Sequence, residues 1–273
     1  MALSQQEYFC HADPIGAGAV EYQTFDLRDR ILVNVRIILV GTTHPGNIGA
    51  TARAMKNMGL SDLMLVNPRY FPHDDATARA AGAEDILQET KVVASLEEAL
   101  SDCTYAAGAS ARSRTIGWPS MAPRDCAERL VQESAHGIAA VVFGPEKSGL
   151  TNEDLDRCNT LLTIPAEPGF SSLNLAMAVQ VLAYELRMAG INTDEPLPEP
   201  ETPAATGTEL ENFYTHLEQV LTRSGFLDPE NPRLLMRRLR RLFIKAELDQ
   251  NEVNILRGML AAVDPEDPKD QVE

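Results

Sequence analysis

At 273 residues, with 44% apolar and 5% aromatic content, the chain can bury one substantial core and a smaller satellite, so two domains are the starting expectation. No apolar run is long enough to cross a bilayer, and residues 1–30 lack the cationic start and apolar centre of a secretory signal, which excludes a membrane protein and leads to the expectation of a cytoplasmic one. The formal charge of −16 opposes a polyanionic partner on average, yet the acids crowd into 194–211 and 264–273, whereas Arg233, Arg237, Arg238, Arg240, Arg241 and Lys245 follow one another with no intervening acid.

Residues 1–30 carry no clear periodicity, and Gly16-Ala17-Gly18 follows no predicted strand, so this stretch reads as an extension or cloning remnant, not a nucleotide loop. From Val35 onward, β-branched or aliphatic runs at 35–40, 63–66, 105–107, 139–143 and 161–164 alternate with helical segments. Such alternation predicts an α/β fold with a parallel, doubly wound sheet, whose strands are apolar throughout because helices cover both faces. Residues 31–190 are assigned to this domain.

A long helix after Phe170 is expected to reach about Ala189, with Leu175, Ala178, Val179, Leu182 and Leu186 buried and Gly190 as its stop. Pro196, Pro198, Pro200 and Pro203, set among glutamates, mark 191–207 as a linker. The remainder, 208–273, reads as a helical module. Leu235, Leu239, Leu242 and Ala246 recur at three- and four-residue spacing, and Asp249 with Glu252 resembles a capping box opening a last helix whose apolar positions include Val253, Leu256 and Leu260. Cys10, Cys103, Cys126 and Cys158 are scattered with no CxxC pair and read as reduced structural thiols, and no convergent His, Cys and carboxylate set predicts a metal.

Three segments collect glycines and polar residues where an α/β sheet places its strand ends, the edge at which such sheets bind ligands. The first runs from Thr43 to Arg53: Pro45 and Gly46 shape a turn, Asn47 suits a helix N-cap, and Arg53 lies nearly two turns into the helix. An ordinary cap with a surface arginine explains these residues equally well. The second is Phe143-Gly144-Pro145-Glu146-Lys147-Ser148-Gly149-Leu150, where glycines allow close backbone approach and Thr151 with Asp154 then opens a helix. A tight turn would look similar, and the GxxxxGK[ST] spacing of a phosphate loop is missing. The third comprises Ile164-Pro165 and the stretch from Gly169 to Ala176, with Ser172 and Asn174 close to a helix start. Capping alone explains Ser172, whereas the Asn174 amide, set among aliphatic residues, needs hydrogen-bond partners if buried.

In this order and at these separations, the three segments resemble the three motifs of the SpoU branch of the SPOUT RNA methyltransferases, over roughly residues 34–190, with no departure at Asn47, Arg53, Glu146, Ser172 or Asn174. The resemblance implies a SPOUT sheet with a trefoil knot at its C-terminal end followed by a small all-helical domain. It implies 2′-O-methylation of RNA with S-adenosylmethionine and a homodimer whose second subunit completes the RNA site. By resemblance, Arg53 anchors an RNA phosphate and stabilises charge, Asn47 and Ser172 lie near the reacting hydroxyl, and Asn174 and Glu146 hold the site together. A guanidinium of pKa above about 12 is a poor base, so literal proton abstraction by Arg53 is the weaker role. Cofactor contacts are implied at Ala107, Gly108, Ala109, Ser110, Gly144, Glu146, Ile164, Ser172 and Leu173.

The appended helical module is similar to that of tRNA-modifying members, which implies tRNA as partner and methylation of cytidine or uridine at the first nucleotide of the anticodon loop, position 32. Its arginines, with Lys245, would bind RNA, although a solvated charged face is also open; Arg112 and Arg114 are phosphate contacts or ordinary solvated arginines. Other tRNA positions, ribosomal RNA and a non-catalytic RNA-binding relative stay open as alternatives. A nucleotide-dependent α/β enzyme lacks both its fingerprints.

Overall fold

Apolar runs become strands buried on both faces, as a helix-covered parallel sheet requires. The computed structural model describes residues 32–111, 119–192 and 200–264; the N-terminal extension, Arg112 and Arg114 lie outside the described residues. Strands β1 (Val35–Val40), β2 (Asp62–Val66), β3 (Lys91–Val93), β4 (Cys103–Ala109), β5 (Ser120–Met121), β6 (Ile138–Phe143) and β7 (Thr160–Leu162) form one seven-stranded sheet. Its order is β3-β2-β1-β6-β4-β7-β5, with every neighbouring pair parallel. The two edge strands, β3 and β5, have no counterpart in the sequence reading, because three and two residues are too short to show a period.

Helices α1 (Pro45–Asn57), α2 (Asp74–Ala80), α3 (Glu84–Glu89), α4 (Leu96–Leu100), α5 (Pro123–Ser134), α6 (Asn152–Leu155) and α7 (Leu175–Asn192) complete this part of the chain. Successive side chains of β1 serve opposite layers: Ile37 and Leu39 pack with α1, α5 and α7, while Ile38 packs with α4, Leu155 and Cys158. At the amino end of the sheet, buried Arg36 is bonded to Asp62 and Asp102 and ties β1 to the starts of β2 and β4.

Helix α7 departs from expectation at one position of its buried stripe and at its C-terminal end. Leu175, Val179, Leu182 and Leu186 are buried as the spacing predicts, but Ala178 is half-buried, and the helix continues through Gly190 to Asn192. Gly190 is no stop: it lies buried beside Leu32, where packing outweighs the roughly 1 kcal/mol that a glycine costs inside a helix.

The helical module consists of α8 (Gly207–Arg223), α9 (Leu235–Ala246) and α10 (Gln250–Val263) around Phe213, Tyr214, Leu217 and Val253, with Leu256 and Leu260 packed against them. The Asp249 and Glu252 capping box forms. The segment expected as linker is anchored at its far end: Ala204 bridges Asp249, the Ala205 amide donates to Leu248 at 3.1 Å, and the Gln250 amide donates to Pro203 at 3.1 Å. In α9 the buried residues only partly follow the leucine spacing. Met236, Leu239 and Phe243 pack into the module and Ile244 is buried, whereas Leu242 is 60% exposed. Two arginines of α9, Arg237 and Arg240, reach the carboxylates of Asp156 and Glu211. Among the described residues, no helix is long and apolar enough to cross a membrane.

Candidate active site

At the carboxyl end of β1 the chain turns through Gly41, whose φ of +58° suits glycine, and α1 begins at Pro45 with His44 as N-cap. No side chain of the cap itself satisfies the helix start. A carboxylate from another strand end does so instead. Glu146 Oε2 accepts from the Thr43 amide at 3.1 Å and from Thr43 Oγ1 at 2.9 Å; Oε1 accepts from the His44 amide at 3.1 Å and from Asn47 Nδ2 at 2.8 Å. Asn47 is therefore not the N-cap that its residue type suggests. Pro45 moves the helix start upstream, and Asn47 sits in the first turn with its amide turned to Glu146. Burial pulls the Glu146 pKa upward, but donation from Asn47, from its own amide and from the Thr43 and His44 amides outweighs it and holds the carboxyl at about 2.

Asn47 Oδ1 in turn accepts from Asn174 Nδ2 at 3.1 Å, and Asn174 Oδ1 accepts from the Ala176 amide at 3.0 Å and the Met177 amide at 3.4 Å. Asn174, not Ser172, thus caps α7, and it is exposed, not buried. The chain Glu146, Asn47, Asn174 joins the three segments singled out in the sequence.

Beside this junction, the carboxyl ends of β4, β6 and β7 enclose a cleft of about 320 Å³, within the size range of small-molecule sites. Ala109, Ser110, Gly144, Glu146, Ile164, Ser172 and Leu173 line it. Ala107 and Gly108 do not. Both are buried within β4, where a Cβ on Gly108 would come within 2.8 Å of Leu155 and 3.0 Å of Cys158. At Gly144 a Cβ would lie 2.3 Å from backbone atoms of Gly149 and Leu150, so only glycine lets the loop close on itself and present its backbone to the cleft.

Two further residues enter the site that the sequence reading passed over. Thr43 donates twice to Glu146, and Lys147 brings a cation to the cleft lip. A hydroxyl beside a helix start and a lysine inside a glycine turn were the available signals.

Arg53 lies six residues beyond Asn47 on α1, about 9 Å along its axis, exposed and making no ion pair among the described residues. It does not line the cleft of its own chain. The arginine-rich helix is divided. Arg237 pairs with buried Asp156, donating to it at 2.8 Å, and Arg240 grips Glu211 with two bonds of 2.7 Å while lying 4.2 Å over the Tyr214 ring. Arg233, Arg238 and Lys245 are exposed without an ion pair among the described residues, and half-buried Arg241 has an unpartnered Nε. Burial pushes the thiols of Cys103 and Cys126 up to about 12, well away from reactive thiolate. Among the described residues, no cluster of three or more His, Cys, Asp or Glu is placed to hold a metal ion.

Comparison with known proteins gives matches over both parts of the chain. The SpoU rRNA Methylase family matches residues 34–184, and the tRNA methyltransferase TrmJ C-terminal domain matches residues 208–272. The tRNA (cytidine/uridine-2′-O-)-methyltransferase TrmJ of Cronobacter sakazakii is 50% identical over 238 residues, spanning 86% of this chain and 97% of that protein. The tRNA (cytidine/uridine/adenosine-2′-O-)-methyltransferase TrmJ of Pseudomonas aeruginosa is 52% identical over 240 residues, spanning 84% and 93%. The crystal structure of TrmJ from Z. mobilis superposes with a TM-score of 0.74 at 36% identity, covering 84% of this chain and 98% of that one.

Proposed function

The chain belongs to the SpoU methylase family, and we propose that it is an S-adenosylmethionine-dependent tRNA (cytidine/uridine-2′-O-)-methyltransferase acting at the first nucleotide of the anticodon loop, position 32. The observation that carries this reading is the polar chain from Glu146 through Asn47 to Asn174, set on the lip of a backbone-lined cleft. A trefoil knot at the C-terminal end of the sheet and a cytoplasmic location belong to the same proposal.

The cleft suits the cofactor on its own terms: the Gly144 turn offers backbone where a Cβ has no room, Ser110 and Ser172 offer hydroxyls, and Leu162, Ile164 and Leu173 offer apolar surface. When bound, S-adenosylmethionine supplies a methyl group made electrophilic by its sulfonium. The protein has then to hold a weakly nucleophilic ribose hydroxyl in line with that methyl, and alignment of this kind is worth on the order of 7–11 kcal/mol in the best intramolecular cases. Asn47 and Ser172 orient the hydroxyl and its neighbouring phosphate, and Arg53 anchors the phosphate and offsets charge developing on the oxygen. Glu146 and Asn174 keep Asn47 in place.

The proposal includes a homodimer. Met177, Val181, Tyr184, Met188 and Ile191 recur at three- and four-residue spacing along α7 and are all exposed, forming an apolar stripe next to exposed Phe170 and Leu173. A second copy covering this stripe also gives Arg53, which stands away from its own cleft, a cleft to serve across the interface. Val181→Glu combined with Tyr184→Glu is expected to give a folded monomer by sedimentation and to remove methyl transfer; a dimer of unchanged affinity would reject this interface. The function itself is tested by incubating the protein with unmodified tRNA and mapping methylated ribose by mass spectrometry. One modified ribose at position 32 is expected, and methylation of ribosomal RNA alone would overturn the tRNA reading.

A further inference from the structure

The arginines of α9 invite a single assignment as RNA ligands, but the structure gives them two. We infer that Arg237 and Arg240 are positioning residues, Arg237 fastening the helical module to the α/β domain through Asp156 and Arg240 bracing α9 on Glu211 of α8 within the module, and that the RNA phosphates are left to Arg233, Arg238, Arg241 and Lys245. This inference rests on the tRNA methyltransferase reading and specifies how the module serves it.

Arg237 binds both oxygens of Asp156, which is only 6% exposed and immediately follows α6. That short helix follows directly on the loop from Gly144 to Leu150 that lines the cleft. Arg240 grips Glu211 on α8; Glu211 approaches Arg157 to 4.0 Å, and Arg157 donates to Glu97 on α4 at 3.1 Å. Charges alternate in sign along this line, which runs from the module into the α/β domain. Two further ties flank it: Arg129 on α5 donates to Glu247 at 2.9 Å, and Thr208 Oγ1 donates to the Ser101 carbonyl at 2.9 Å.

Bidentate guanidinium–carboxylate pairs of this kind are directional and stronger than neutral hydrogen bonds. For either arginine to take a phosphate it would have to abandon its carboxylate, and in Asp156 that would strand a buried charge. Arg233, Arg238 and Lys245 face solvent with no such commitment among the described residues. The module is therefore held at a set place relative to the cofactor loop, so RNA gathered on its exposed cations meets the cleft at a fixed separation. Misplacement by about 1 Å can cost on the order of a hundredfold in rate.

The test uses the full-length chain with three readouts: salt dependence of tRNA affinity, kcat at saturating tRNA, and radius of gyration from X-ray scattering. Arg238→Ala and Lys245→Ala should each reduce the slope of log affinity against log salt by roughly 0.7–0.9. Arg237→Ala should leave the slope unchanged, lower kcat by about tenfold or more and enlarge the particle, whereas Arg240→Ala should leave the slope unchanged and lower kcat without enlarging it. Arg237→Lys, which keeps one bond of the pair, should restore part of both kcat and compactness and guards against mere misfolding. A slope reduced by Arg237→Ala as much as by Lys245→Ala, with kcat and dimensions unchanged, would overturn the assignment. If the wild-type chain modifies no tRNA while Arg237→Ala still expands it, the methyltransferase reading falls and the fastening stands.

Discussion

Arg53→Ala is expected to abolish methyl transfer while leaving S-adenosylmethionine affinity within a few-fold of wild type. The side chain is exposed, lies outside the cleft of its own chain and has no ion pair among the described residues, so its removal strands no partner. Exposed substitutions of that kind usually change stability by less than about 0.5 kcal/mol. Its proposed work is confined to the step in which a ribose oxygen loses its proton beside an anchored phosphate. Removing one preorganised group that stabilises developing charge typically lowers the rate on the order of 10²–10³-fold, and losing the phosphate anchor adds to this. Arg53→Lys should recover only part, since an ammonium replaces a planar fork by a point charge. Single-turnover methylation of tRNA and calorimetry with the cofactor measure the two quantities separately. Cofactor affinity lost in a correctly folded Arg53→Ala protein would mean that the side chain acts at the cleft and not at the RNA.

The contrast between Arg53 and the other matched residues shows what a sequence can carry. Runs such as Val35–Val40 and Ile138–Phe143 announce buried parallel strands because every position is apolar, whereas β3 and β5 are stabilised by neighbours on a sheet edge and leave no pattern of their own. Convergence of Asn47, Glu146 and Asn174 could be expected only from their joint resemblance to a family, since no local rule links Asn47 to residues 99 and 127 positions away. Local rules failed where a distant group took over a local task. Glu146 serves the start of α1, so Asn47 need not cap it, and Asn174 caps α7 while also reaching Asn47. α9 is a third case: the leucine spacing includes Leu242, but Met236, Leu239 and Phe243 are the residues packed into the module, Arg237 and Arg240 are held by Asp156 and Glu211, and Leu242 is exposed. Charge runs conceal this, because composition does not tell which arginine has a carboxylate waiting.

Removing the carboxylate at the centre of the site should have the broadest effect. Glu146→Ala leaves the Thr43 amide, the Thr43 hydroxyl, the His44 amide and the Asn47 side-chain amide without their acceptor. A buried donor left unpaired costs about 1–3 kcal/mol, and water reaching this half-exposed site recovers some of it, so a net loss of roughly 2–4 kcal/mol is expected. For a chain of this length that corresponds to a fall in Tm of roughly 5–15 °C. Cofactor binding and methyl transfer should both fail, since the turn from Gly144 to Leu150 and the start of α1 lose their common tie; this joint loss distinguishes Glu146 from Arg53. Glu146→Gln keeps the shape but turns an amide donor toward two of the existing donors, so it should resemble alanine more than wild type. Acid provides an independent check. The folded-state pKa of about 2 lies below the ordinary glutamate value of 4.5, so the stabilisation is complete above about 4.5 and drains away as pH falls toward 2. The stability gap between wild type and Glu146→Gln should therefore be wide and flat near neutrality and close between pH 5 and 2. A gap that is constant across that interval would mean that the charge on Glu146 is not what binds the three segments into one site.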